Sequence, residues 1–349
     1  MKAVQFAEHG GRDVIEYGEF PDPDVGRDEA LVDVKAGALN HLDVWTRRGL
    51  PGLDLPFPHI PGSDMAGVVT EVGADVTRVS PGDRVTLLAG TVEEEGGGSE
   101  FPRRDDPTLA AGFGIIGEDS RGVHSEYAAV PAENLVPVPE HVPWEVAGSV
   151  SLVFQTAWRM LIHRADVRAG ERVLVQGASG GVGHAAVQIA DYAGCEVYAT
   201  ASSAEKLDYA ADCGADHGIN YEEAPLVDAV YDLTDGRGVD VVVDHVGEAT
   251  YGDSLKCLRK GGRYVTCGAT TGPNPDAALN RIFFDQLEVI GSTMATPEQA
   301  EEVLGLVWDG VFEPRIRETL PMSETARAHE IIENREGFGK VVVIPDSEL

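Results

Sequence analysis

Between residues 172 and 293 the chain alternates short, almost continuous apolar runs with longer stretches of helical texture. The runs are Arg172–Gly177, Glu196–Ala201, His217–Tyr221, Val239–Val246, Gly262–Gly268 and Leu287–Thr293. Apolarity at every position is what a strand buried on both faces requires, and helices between such strands bring them side by side in parallel. The pattern predicts an α/β fold with a doubly wound, six-stranded parallel sheet and a ligand crevice at the strands' carboxyl ends.

The first part has a different texture. Met1–Ala7, Glu29–Ala36, Ala66–Val72, Arg84–Leu88 and Glu126–Val130 are short strand-like runs separated by Gly and Pro, which predicts a β-rich body. Within it, Thr91–Arg121 is rich in Gly, Glu and Asp, carries Gly96-Gly97-Gly98 and Arg103-Arg104-Asp105-Asp106, and reads as a long surface lobe, mobile in part. After the sheet come a helix at Pro297–Trp308, another near Glu324–Asn334 and a last strand at Lys340–Ile344. The expected organisation is a first domain over 1–150, an inserted nucleotide-binding domain over 151–295, and a return to the first domain over 296–349.

The first run of the sheet ends in Gly177-Ala178-Ser179-Gly180-Gly181-Val182-Gly183, followed by a helical stretch from His184 to Tyr192. Glycines at such a turn remove side chains so that backbone N–H groups and a helix N-terminus can face a pyrophosphate. The string has one residue more than G-x-G-x-x-G; its place after a buried strand supports the dinucleotide reading. About 20 residues past such a loop an acidic residue would bind the ribose 2′-OH of NAD. Here the second strand ends Thr200-Ala201-Ser202-Ser203 with Lys206 one turn on: no carboxylate to repel a 2′-phosphate, and hydroxyls and an ammonium to bind one. NADPH is the expected cofactor. The plainer alternative is a helix capped by Ser202 or Ser203 with Lys206 in solvent.

Composition narrows the class. At 349 residues and 43% hydrophobic content the chain has material for two cores, no run is long and apolar enough to cross a membrane, and the N-terminus lacks a signal-peptide pattern. A soluble, cytoplasmic protein is expected. With 59 acidic against 27 basic residues the formal net charge is −32, which disfavours nucleic acid and anionic membranes as partners and reads as halophilic adaptation to a salt-rich cytoplasm. Cys195, Cys213, Cys257 and Cys267 lack paired metal spacing and read as small core residues.

Several strings, in order, resemble the medium-chain dehydrogenase/reductase superfamily over essentially the whole chain: Ala38-Leu39-Asn40-His41-Leu42-Asp43, Ile60-Pro61-Gly62-Ser63-Asp64-Met65-Ala66-Gly67, Val79-Ser80-Pro81-Gly82-Asp83-Arg84-Val85, Gly122-Val123-His124-Ser125-Glu126-Tyr127 and Phe338-Gly339-Lys340. The resemblance implies a GroES-like catalytic domain around a Rossmann-type domain. In the zinc alcohol dehydrogenases a Cys, a His followed by Glu, and a further Cys or carboxylate hold the catalytic metal; the matching positions here are Asn40, Ser63-Asp64 and approximately Leu152. An amide, a hydroxyl and an aliphatic side chain do not make a tetrahedral zinc site. Leu42 stands where that subfamily carries a proton relay, and the lobe has none of the four cysteines of a structural zinc. No metal is expected. A rearranged site from His59, Asp64 and Asp43 is the alternative.

Asn40-x-x-Asp43 resembles the quinone oxidoreductase and enoyl reductase branch, where the Asn lies beside the nicotinamide and the substrate carbonyl. An amide N–H suits developing negative charge there. The resemblance implies catalytic or substrate-side roles for Asn40, Asp43, Trp45 and Ser63, with Asp43 orienting its neighbours and Trp45 stacking on a flat substrate. The tyrosine that protonates the substrate in many enoyl reductases has no counterpart in Trp45–Pro51. Cofactor contacts are implied at His41, Thr156, the 177–183 loop, Thr200, Ser202, Ser203, Lys206, Tyr221, His245, Val246, Gly268, Ala269, Thr270 and Lys340, the last reaching the phosphates from the other domain. The expectation is an NADPH-dependent, zinc-independent oxidoreductase passing hydride to a quinone or an α,β-unsaturated carbonyl, with a homodimer, or a tetramer, paired through Leu287–Thr293. Its rivals are an alcohol dehydrogenase with an atypical zinc site and an NADPH-binding protein with little turnover.

Overall fold

The computed structural model describes residues 1–50, 52–92 and 106–348. The triple-glycine and double-arginine segments of the lobe lie outside the described residues. An antiparallel pair, β1 (Lys2–Gln5) and β2 (Glu16–Glu19), precedes β3 (Glu29–Ala38), α1 (His41–Arg48), β4 (Met65–Val72), β5 (Arg84–Leu87), the small pair β6 (Gly90–Val92) and β7 (Phe113–Ile115), β8 (Tyr127–Pro131), β9 (Leu135–Pro137) and α2 (Trp144–Trp158). Next come β10 (Arg172–Val175), α3 (Gly181–Tyr192), β11 (Glu196–Ala201), α4 (Ala204–Asp212), β12 (His217–Asn220), α5 (Leu226–Leu233), β13 (Val239–Asp244), α6 (Glu248–Cys257), β14 (Leu258–Thr266), α7 (Leu279–Phe284) and β15 (Glu288–Gly291). The chain returns through α8 (Pro297–Trp308), β16 (Ile316–Pro321), α9 (Thr325–Glu333) and β17 (Lys340–Ile344).

The second group forms the expected sheet, with six parallel strands in the order β12-β11-β10-β13-β14-β15. Val173, Leu174 and Val175 of β10 and Val241, Val242 and Val243 of β13 are buried, as central strands covered on both faces must be. The order reverses between β10 and β13, so the loops after these strands open a crevice at their carboxyl ends.

The other large sheet runs β16-β17-β3-β4-β5-β9, antiparallel except for β16 and β17, with β8 also on β3. Along β3 the period of two buries Ala30, Val32, Val34 and Ala36. β8 pairs with the Glu29–Asp33 half, whereas β17 meets only the far end, with Val342 opposite Ala38 and Val343 opposite Gly37. That end-on junction, extended by Leu39 N–H donating to Val341 O at 3.0 Å, places Lys340 beneath the start of α1.

Several elements differ from the sequence reading, among them two that border the crevice. α3 begins at Gly181 rather than His184, because Gly180, Gly181 and Gly183 belong to its cap and first turn. α2 was not expected at all. It starts after Pro143, buries Val150, Val153, Phe154, Ala157 and Trp158 against the nucleotide-binding sheet, and runs into a π-helical stretch over Arg159–Arg164. There the buried Arg159 guanidinium reaches Asp106 at 2.6 Å, Thr108 at 3.0 Å and Gln299 at 3.0 Å, tying the stem of the lobe to α8.

Candidate active site

The glycine loop is built to approach a ligand with its backbone. Gly177 has φ +59°, in the left-handed region, and its N–H donates to Thr200 Oγ1 at 3.0 Å; Ala178 N–H donates to Thr200 O at the same distance. A Cβ on Gly183 would run into Gly177 O and the Ala178 Cα, so this glycine lets α3 pack onto the loop that caps it. Ser179, Gly180, Gly181 and Val182 are left partly exposed on the crevice. Thr200, expected to touch the cofactor, is fully buried and spends its hydroxyl on Gly177 and on Gln176 Oε1 at 2.9 Å, so it shapes the loop from behind.

The other crevice wall comes from the loops after β13 and β14. Asp244 is buried, with Oδ1 taking the N–H groups of Val246 and Gly247 at 2.7 and 3.1 Å and Oδ2 taking the Thr250 hydroxyl at 2.6 Å, which fixes His245 and Val246 in the crevice. The hydroxyl of Thr270 donates to His245 O at 3.0 Å, and Gly268 lies against the same carbonyl, with Ala269 between them. Thr156 Oγ1 and His245 Nε2 are buried and have no partner among the described residues. Orphaned polar atoms beside a glycine cradle fit a polar group bound between these walls. His41 opens α1 and is solvent-exposed; the protein around its ring, then the charges of His245, Arg335 and Lys340, lower its imidazole pKa below the usual value.

At the far end of β11, Ser203 caps α4, accepting from Lys206 N–H at 3.4 Å. The plain capping role thus holds for Ser203. Ser202 Oγ instead accepts from the Lys206 ammonium at 3.3 Å, which also reaches Arg335 O at 3.1 Å. Burial, then the charges of Arg335 and Arg317, pull the Lys206 pKa below its usual value. Three cations and two hydroxyls thus gather at one spot of a chain with net charge −32, and Tyr221, 43% exposed, follows the neighbouring strand. Arg317 and Arg335 were missing from the sequence reading because they arrive on the C-terminal return, far from the loop in sequence. The surplus of cations in a strongly acidic chain was the one signal that could have found them.

The substrate side is organised by a buried charge pair. Lys340 is 3% exposed, and its ammonium donates to Asn40 Oδ1 at 2.6 Å, Leu39 O at 3.0 Å and Asp64 Oδ2 at 3.0 Å. The same Asp64 oxygen accepts from Asn40 Nδ2 at 2.9 Å, and Oδ1 accepts from Leu152 N–H at 2.9 Å. The expectation that Lys340 meets the cofactor phosphates with its charge is corrected: the ammonium is turned inward, and only its aliphatic stem lies near Gly181. Asn40 is held at both ends of its amide, which fixes which end is NH2 and leaves one N–H over.

Asp43 supports the same residue from the backbone. It is fully buried; Oδ2 accepts Asn40 N–H at 2.7 Å and Oδ1 accepts Gly62 N–H at 2.9 Å, while burial raises its pKa. It orients Asn40 and the 62–64 segment, and neither of its oxygens takes a bond from Ser63. Ser63 Oγ is buried and unpartnered, as are both ring nitrogens of His124. Trp45 is half-buried on the exposed side of α1, its ring 6.2 Å from that of His41.

Comparison with known proteins settles the lineage. Residues 26–140 match the alcohol dehydrogenase GroES-like domain and residues 181–309 the zinc-binding dehydrogenase domain. A quinone oxidoreductase of Pseudomonas aeruginosa is 32% identical over 99% of both chains. The chain belongs to the medium-chain dehydrogenase/reductase superfamily. Among solved structures of this superfamily, an NAD-dependent alcohol dehydrogenase superposes with a TM-score of 0.93 at 38% identity, covering 99% of each chain. A crotonyl-CoA carboxylase/reductase variant in complex with NADP gives 0.90 at 26% identity, covering 99% of this chain and 95% of that one.

As a medium-chain dehydrogenase/reductase, the chain has a distinctive answer at the place of the superfamily's catalytic metal. The donors there are the Asn40 amide, Ser63 and Asp64, and the positive charge among them is the Lys340 ammonium, within 3.0 Å of both Asn40 and Asp64. An ammonium wedged between these groups does not fit a zinc ion on the same atoms. The rearranged set fares no better. His59 Nε2 faces Gly117 O at 3.3 Å, Asp43 is committed to backbone N–H groups, and no cluster of three metal-binding side chains occurs among the described residues.

The four cysteines are free; Cys195, Cys213 and Cys257 are buried, and burial raises the thiols of Cys195 to about 11 and of Cys257 and Cys267 to about 12, consistent with inert core positions. No helix among the described residues is long and apolar enough to cross a membrane.

Proposed function

We propose that this chain is an NADPH-dependent oxidoreductase that reduces a quinone or an α,β-unsaturated carbonyl without a metal ion, as the quinone oxidoreductase and crotonyl-CoA reductase relatives suggest. The observation that carries the reading is the Lys340–Asn40–Asp64 knot at the mouth of the glycine loop. It presents one oriented amide N–H backed by a buried ammonium, which suits the negative charge that develops on an acceptor oxygen.

Bound NADPH would supply the hydride. The 177–183 loop would hold its pyrophosphate on backbone N–H groups, Ser202, Lys206, Arg335 and Arg317 would take the 2′-phosphate, and Thr156, His245, Val246 and the 268–270 segment would border the nicotinamide ribose. The chain's own contribution is positioning and polar stabilisation: Asn40 orients the acceptor oxygen, Asp43 and Lys340 hold Asn40 still, and Ser63 and Trp45 border the acceptor. The working division remains 1–150, 151–295 and 296–349, in a cytoplasmic homodimer paired along β15 and adapted to salt.

Likeness to an NAD-dependent alcohol dehydrogenase favours a second reading, alcohol oxidation. A panel of quinones, enones, aldehydes and alcohols assayed in molar KCl with both coenzymes separates them. NADPH oxidation by quinones or enones supports the proposal; alcohol oxidation with NAD alone supports the rival; coenzyme binding without turnover on any of them sinks both.

A further inference from the structure

The proposed reduction needs a proton as well as a hydride, and the segment after Leu42 carries no tyrosine to give one. The stem of the lobe packs a turn that bears a carboxyl, Glu118, against the 62–63 segment. Gly117 is packed against the 62–63 segment so closely that a Cβ there would fall 2.5 Å from Gly62 O and 2.8 Å from Ser63 Oγ. The turn is pinned: Gly122 N–H donates to Ile60 O at 2.6 Å, Val123 N–H to Gly62 O at 3.1 Å, Gly117 N–H to Ser120 O at 3.0 Å and Glu118 N–H to Ile115 O at 3.0 Å. Asp119 closes it, taking Ile115 N–H at 2.8 Å. Glu118 follows Gly117 on this turn, so the turn that carries it is packed against Gly62 and Ser63, and its carboxyl lies within reach of the Asp43 charge.

We propose that Glu118 is the general acid of this site, giving its proton to the reduced acceptor. The proposal rests on the reductase reading above. For an enone, the hydride brings two electrons to the β-carbon and the C=C pair moves onto the carbonyl as an enolate. The O–H bond of Glu118 then breaks, a C–H bond forms at the α-carbon, and the carboxylate left behind regains a proton from water.

The surroundings of Glu118 suit the task. It is half-buried, and the titratable and charged groups around it are Asp119 and Arg121 on its own segment, Asp43 on α1, and His59 beneath Gly117. Burial, then the charges of Asp119 and Asp43, raise its pKa to about 7, so near neutral pH a substantial fraction carries the proton. Burial holds His59 neutral near 4, which leaves it no charge to offset theirs.

Glu118→Gln and Glu118→Asp test the assignment. In the full-length, coenzyme-free protein with carboxyl-labelled glutamate, NMR should show one carboxyl titrating near 7 that vanishes in the Gln variant. With an enone that the wild type reduces, Glu118→Gln should lower kcat by about 10²-fold or more while the Kd for NADPH stays within about twofold, and it should remove the alkaline loss of kcat/KM. Glu118→Asp should keep part of the rate and that limb. Wild-type turnover with an equally fast, equally pH-dependent Gln variant, or a Glu118 carboxyl titrating in the ordinary range, overturns the proposal alone. A wild type that reduces neither quinone nor enone overturns it together with the reductase reading.

Discussion

Lys340 Nζ lies 2.6 Å from Asn40 Oδ1, joining the last strand of the chain to the first residue of the candidate site. The contact depends on β17 ending against β3, and it delivers a cation to the side chains that stand where other superfamily members hold zinc. Both members of the ion pair, Lys340 and Asp64, are buried. Lys340→Met should therefore cost about 3–5 kcal/mol by leaving the Asp64 carboxylate unpaired. Adding Asp64→Asn should restore part of that loss. Denaturant unfolding of the single and double variants gives the coupling; additive losses would contradict the pairing.

The cluster at the end of β11 predicts coenzyme choice. Lys206→Ala should raise the KM for NADPH by about tenfold or more, the loss of one charge-assisted contact, and leave that for NADH unchanged. Ser202→Asp should invert the preference, because a carboxylate repels the 2′-phosphate and accepts from a ribose hydroxyl. Equal losses with both coenzymes would place the cluster elsewhere than at the phosphate.

Acid should weaken the fold. Burial lowers His59 and His184 to about 4 and His329 to about 3, against 6.5 when exposed. Below 6.5 the unfolded chain takes up protons at these positions that the native state refuses, so stability falls as pH drops from 6.5 to about 4, by at most about 1.4 kcal/mol per pH unit per histidine. Asp43 and Glu118, shifted upward, act in the opposite sense as pH drops below 7 but are fewer. His329→Gln should remove about 2 kcal/mol of the difference in unfolding free energy between pH 7.5 and 5. An unchanged difference would mean that His329 is protonated in the folded protein.

The charge of −32 predicts that thermal stability rises with KCl from millimolar to molar, as screening relieves self-repulsion. A melting temperature insensitive to salt would remove the halophilic reading.

The sheet of the nucleotide-binding part was legible because its central strands are buried on both faces and so carry dense apolar runs, such as Val173–Val175 and Val241–Val243. α1 was not, since a helix that buries Asp43, Thr46 and Arg47 leaves no apolar stripe to see. Asn40 and Asp43 were singled out through the resemblance, and the Asn40 amide meets Asp64 in the structure. Lys340 was found but misassigned. Its role follows from a strand junction across 300 residues of chain, and nothing local to Phe338-Gly339-Lys340 distinguishes an ammonium aimed at a phosphate from one turned beneath Asn40. Glu118 escaped notice because its neighbours in sequence read as a surface lobe, whereas the turn that carries it is clamped onto Gly62 and Ser63.

The central claim is that the Lys340 ammonium stands where a metal would, and that reduction proceeds on oriented polar groups. Metal content by mass spectrometry, paired with NADPH-dependent quinone or enone reduction before and after a strong chelator, tests it most directly. The account predicts turnover unchanged by chelation, with far less than one zinc per chain. One tightly bound zinc per chain, with activity lost on its removal and restored on its return, would contradict it.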